Sequence, residues 1–112
     1  MNNDMRMNAR TYHLKPLSKG RPKGSKTFDV EASQALGQAI RIIRLEKGIS
    51  QEALANGANL DRSHLSRIER GINAPVITVI FRVADFLGVK SADIITLAEK
   101  ILKGEVKVLE SR

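Results

Sequence analysis

The side chains able to do chemistry in this 112-residue chain are few, and most are wrong for catalysis. With no cysteine present, disulfides, thiolate metal sites and cysteine nucleophiles are excluded. His13 and His64 are the two histidines, which gives a metal site little support. Ser63 and Ser66 lack His–Asp partners at a spacing that would activate a hydroxyl. What remains is a run of hydrogen-bonding groups, Arg62, Ser63, His64, Ser66 and Arg67, broken by Leu65 and followed by Ile68. On a helix, Leu65 and Ile68 share one face, which leaves Arg62, Ser63, Ser66 and Arg67 pointing outward. A guanidinium can donate two parallel hydrogen bonds to the O6 and N7 atoms of guanine. Such a face suits base edges in a DNA major groove. No enzyme and no cofactor is expected.

A face of this kind must be held by neighbouring elements, and the flanking sequence supplies them. Ser50 is placed to cap a short helix over Gln51 to Ala58, and Asp61 to cap the next, Arg62 to Arg70, which ends at Gly71. Two short helices joined by a tight turn cross closely and need a small residue midway, which is Ala55. Asn59 can take the left-handed conformation that reverses the chain, while Gly57, inside the short helix, should cost up to ~1 kcal/mol relative to Ala. Before this pair, Leu36, Ala39, Ile40 and Ile43 mark a helix over Val30 to Lys47, with Asp29 as its N-cap and Gly48 as its stop. After it, Pro75 opens a fourth helix to Leu87, with Val76, Val79, Ile80, Val83, Ala84 and Leu87 as its apolar stripe. Gly88 ends that helix, and Ser91 caps a fifth running to Lys103. Residues 104–112 include Val106 and Val108, a short strand or a frayed end. The expected architecture is an all-α domain of five helices over residues 30–103, with the helix-turn-helix at 51–70.

From about Leu36 to Ile95 the chain resembles the lambda-repressor-like, Xre/Cro-type helix-turn-helix family. The resemblance rests on Ser50-Gln51-Glu52-Ala53-Leu54-Ala55, on Ser66-Arg67-Ile68-Glu69-Arg70-Gly71, and on the Ala84 to Leu87-Gly88 ending. Asn59 departs from the family's usual turn glycine, and Gly57 is a second departure. The resemblance implies that Arg62, Ser63 and Arg67 read bases, and that Gln51 holds a phosphate while bracing the recognition helix. It implies phosphate contacts for His64, Ser66 and Asn73, and a structural ion pair between Arg44 and Glu69. The function implied is a sequence-specific regulator of transcription, a repressor on double-stranded DNA. An antitoxin that pairs with a toxin and autoregulates its operon is one alternative, and an adaptor that contacts protein in place of DNA is another.

One short recognition helix spans few base pairs, so a homodimer on a palindromic operator is expected, with half-sites about one turn apart. The fifth helix offers Ile94, Ile95, Leu97, Ala98, Ile101 and Leu102 for a two-fold interface, with help from the segment Val106 to Leu109. The alternative is that this stripe is core within one chain.

The charge is uneven. The chain carries 19 basic and 12 acidic side chains, a net of +7, with a sequence pI near 10.2. Residues 1–29 hold seven of the basic groups against Asp4 and Asp29, and they contain Pro16, Pro22, Gly20 and Gly24. Such a segment buries too little apolar surface to offset its ordering entropy and reads as a flexible basic tail. Within it, residues 19–26 resemble an AT-hook. Gly20, Arg21 and Pro22 would lie in a narrow minor groove, with Lys19, Lys23 and Lys26 along the phosphates. A plain basic arm is the competing reading. No apolar run approaches the ~20 residues of a spanning helix, and residues 1–4 lack a signal peptide's apolar core. A cytoplasmic protein without a membrane partner is expected.

Overall fold

Five α-helices, and no strand, make up residues 25–106, the part of the chain that the computed structural model describes. They are α1 (Ser25–Glu46), α2 (Gln51–Gly57), α3 (Arg62–Glu69), α4 (Ile77–Leu87) and α5 (Ser91–Leu102). The all-α, five-helix expectation is met.

The core forms where the apolar faces converge. Ala35, Ala39, Ile40 and Ile43 from α1 meet Leu54 and Ala55 from α2 and Leu65 and Ile68 from α3. Val79, Ile80, Val83, Ala84 and Leu87 close it from α4, with Ile94 and Ala98 from α5. α1 lies along both α5 and α3, and α2 packs on α3 and α4. Gly37 brings α1 close to the end of α3. A Cβ there would overlap the Ile68 carbonyl oxygen and sit 2.8 Å from that of Glu69, so no larger residue fits this crossing.

Several boundaries differ from expectation. Helix α1 begins at Ser25, five residues before Val30, so Asp29 lies inside the helix and is not its N-cap. Nothing between Ser25 and Val30 breaks a helix, so the helix extends back past the first position of its apolar stripe. Lys26, assigned to an extended hook, sits in the first turn of α1. Lys19, Gly20, Arg21, Pro22 and Lys23 lie outside the described residues. Helix α4 starts at Ile77, with Val76 in extended backbone at the N-cap, two residues after Pro75. Val76 is accordingly 64% exposed and does not belong to the buried stripe. Helix α5 starts at Ser91, which is therefore not the cap. Asp93 instead accepts the Lys90 backbone N–H at 3.0 Å, closing the start of the helix. Val106 forms a bend and no strand, and Val108 lies outside the described residues.

The apolar stripe of α5 is mostly internal. Ile94 and Ala98 are buried within this chain, and Leu97 and Ile101 pack against the same core. Ile94 and Ala98 are thus enclosed by this chain's own core, whereas Leu97 and Ile101 are only partly covered by it. Ile95 and Leu102, each 37% exposed, remain at the surface.

Candidate nucleic-acid interface

The site is assembled from a cap, a turn and a buried network. The Ser50 side chain accepts the Ala53 backbone N–H at 3.0 Å, which fixes the first turn of α2 and puts Gln51 at its opening residue. Ala55 is buried where α2 meets α3, and its carbonyl accepts the Leu60 N–H at 2.8 Å. Asn59 adopts φ +58°, the left-handed turn that an asparagine tolerates. Asp61 then stands in extended backbone as the N-cap of α3, without a side-chain hydrogen bond to the helix.

Helix α3 is phased by Leu65 and Ile68, both fully buried. Arg62 and Ser63 are exposed, while His64, Ser66 and Arg67 are half-buried. Gln51, Arg62, Ser63 and Ser66 line one shallow recess between α2 and α3. The only acidic side chain of α3, Glu69, points inward, so Arg62 and Arg67 of the helix and Arg70 at its C-cap leave the surface basic, with Asp61 exposed at the N-cap. A basic, hydrogen-bonding convex helix is what a polyanionic groove accepts.

The inward carboxylate is fully partnered. Arg44 donates through Nε to Glu69 Oε2 at 2.7 Å and through Nη2 to Oε1 at 2.8 Å, a parallel pair with both residues buried. A third donor, Nη1, reaches the Ile49 carbonyl at 2.8 Å. Gln51 Nε2 adds a bond to Glu69 Oε1 at 3.0 Å. The Arg44–Glu69 pair thus ties α1, the α1–α2 turn, the start of α2 and the end of α3 together. The angle between α2 and α3 is held at the Asn59 turn and again at this network.

Residues of α4 also hold the motif. Arg82 of α4 donates to the Ala58 carbonyl at 2.8 Å, satisfying the end of α2. The Phe86 ring occupies the space that a Cβ at Gly57 would fill. Gly57 is therefore a seat for that ring, and a glycine inside a helical pattern was the available signal. On the far side of α3, Asn73 is half-buried and lies beside Arg67.

Comparison with known proteins agrees with this geometry. A helix-turn-helix family model, HTH_3, matches residues 40–94. The control protein C.BamHI of Bacillus amyloliquefaciens is 40% identical over 60 residues, covering 53% of this chain and 74% of that protein. The immunity repressor protein of Bacillus phage phi105 is 39% identical over 70 residues, covering 62% of this chain and 48% of that one. Among solved structures, the clp gene regulator ClgR from Corynebacterium glutamicum superposes with a TM-score of 0.64 at 28% identity, covering 66% of this chain and 79% of ClgR. The chain therefore belongs to the HTH_3 family, the Xre/Cro-type, lambda-repressor-like helix-turn-helix proteins, which are DNA-binding regulators of transcription and not enzymes.

Proposed function

We propose that the chain is a sequence-specific repressor that occupies a palindromic operator as a homodimer. The observation that carries this reading is the outward face of α3, where Arg62 and Arg67 stand while Glu69, the one carboxylate of the helix, is turned inward. Arg62, Ser63 and Arg67 read base edges in the major groove, with each good bidentate pair discriminating by ~1–3 kcal/mol. Gln51, whose amide spends one N–H on Glu69, offers its second N–H to a phosphate, and His64 and Ser66 flank the same strand. The residues before Ser25 add basic contacts beside the major groove, whether as a minor-groove hook centred on Arg21 or as an electrostatic arm. The surface-exposed Ile95 and Leu102 of α5 are the candidates for the two-fold contact. The phage immunity repressor and the control protein among its relatives support regulation by operator occupancy. Such a protein works in the cytoplasm, where the DNA is.

Selection from a pool of random duplexes at fixed salt tests this. The expected product is one enriched sequence with two-fold symmetry and half-sites about one helical turn apart. Recovery of unenriched duplexes, with weak binding that is insensitive to salt, would favour the protein-adaptor reading instead.

A further inference from the structure

We infer that Asn73 is a positioning residue for sequence reading, acting through Arg67, and is not a phosphate contact. This rests on the reading of Arg67 as a base contact. The loop after α3 turns at Gly71, φ +78°, and wraps back over the helix end. The Arg67 carbonyl accepts the Ile72 N–H at 2.9 Å and the Asn73 N–H at 3.4 Å, which returns the Asn73 side chain to that of Arg67. Oriented to satisfy both neighbours, the Asn73 amide accepts from Arg67 Nε at 3.2 Å through its oxygen and donates to the Ile72 carbonyl at 3.2 Å through its nitrogen. The amide oxygen is thereby committed to Arg67 and one of the two N–H groups to Ile72, so the contact built into the loop is to the arginine, with a second N–H left over.

The consequence for Arg67 is directional. A guanidinium has five N–H groups in a fixed plane, and holding Nε selects which edge faces outward. With Nε engaged, the Nη1–Nη2 edge is the one left to meet guanine O6 and N7 in the bidentate arrangement. An arginine free in solution loses rotamer freedom on binding, a cost of ~2- to 10-fold in affinity for one immobilised long side chain. Asn73 removes most of that cost beforehand. It does so for the base contact alone, because a phosphate accepts a guanidinium in many orientations.

The experiment is a double-mutant cycle in the full chain, with affinities measured at fixed salt on the selected operator duplex and on a scrambled duplex of equal length. Arg67→Ala should lower the operator-to-scrambled ratio by about 5- to 150-fold. Asn73→Ala should lower the same ratio by about 2- to 10-fold, with scrambled-duplex affinity unchanged, and should lower it no further in the Arg67→Ala background. Asn73→Asp, which keeps an oxygen toward Nε, should retain the ratio while weakening both duplexes through its charge. Equal weakening on both duplexes by Asn73→Ala, additive to Arg67→Ala, would make Asn73 a phosphate contact and overturn the inference. An unchanged ratio for Arg67→Ala would instead remove the base-reading assignment, and the inference would fall with it. Circular dichroism of each variant separates these outcomes from loss of fold.

Discussion

Replacing Glu69 by alanine should destabilise the domain far more than loss of a surface charge would. The substitution removes two hydrogen bonds from Arg44 and one from Gln51, and it leaves an arginine side chain that is 8% exposed in the native fold with the Ile49 carbonyl as its remaining acceptor. Breaking a buried pair by deleting one partner costs ~3–5 kcal/mol, because the other charge stays desolvated. A domain of ~80 residues has roughly 4–12 kcal/mol of stability in total, so a quarter or more of it would be lost. At ~4–8 °C per kcal/mol for a domain this size, Tm should fall by roughly 12 °C or more. Urea unfolding followed by circular dichroism measures the change directly. The joint replacement Arg44→Met with Glu69→Leu should recover most of the loss, since exchanging a whole buried pair for apolar residues is often near neutral. A cost below ~1 kcal/mol for Glu69→Ala, the range of an exposed pair, would contradict burial of the pair. So would a double variant no more stable than the single one.

Gly57→Ala should destabilise by ~1–3 kcal/mol in thermal unfolding, although alanine is the better helix former, because its Cβ displaces the Phe86 ring; the penalty should shrink in a Phe86→Leu background. Deleting residues 1–24 should weaken DNA binding and flatten its dependence on salt in a titration series, through fewer released counterions. If the hook reading holds, Arg21→Ala should lose more affinity on operators with A·T-rich flanks than on those with G·C-rich flanks, and equal losses would leave an electrostatic arm. Ile95→Glu combined with Leu102→Glu should shift the sedimenting species from dimer to monomer without lowering Tm appreciably, since both side chains are exposed. A wild-type chain that sediments as a monomer at about tens of micromolar would end the dimer proposal.

The helical architecture was legible because apolar spacing and glycine stops carry the same message from Leu36 to Leu87. The turn was legible for the same reason, since Asn59 is among the few residues that accept φ +58°. The start of α1 was not. The basic tail and the helix differ in composition, but Ser25 to Asp29 contains no helix breaker and Asp29 is a ready N-cap type, so the helix start was placed at Val30. Two glycines show what sequence alone withholds. Gly57 carries only a helix-propensity cost until Phe86, 29 positions later, is seen against it. Gly37 is silent until α3 is placed across it. The stripe on α5 looked too wide for one partner because it faces more than one element of its own chain, and only Ile95 and Leu102 are left over. Asn73 beside Arg67 depends on the path of the loop after Gly71, which no spacing rule specifies.

The central claim is that α3 reads bases through its outward arginines. The most direct test is duplex selection run in parallel with the wild-type chain and with Arg67→Ala, at the same salt concentration. The wild type should enrich a symmetric site. The variant should enrich the same site with its preference flattened at one base pair of each half-site, the position that Arg67 contacts. Identical preferences from the two proteins, or a uniform loss of enrichment at every position, would contradict the claim.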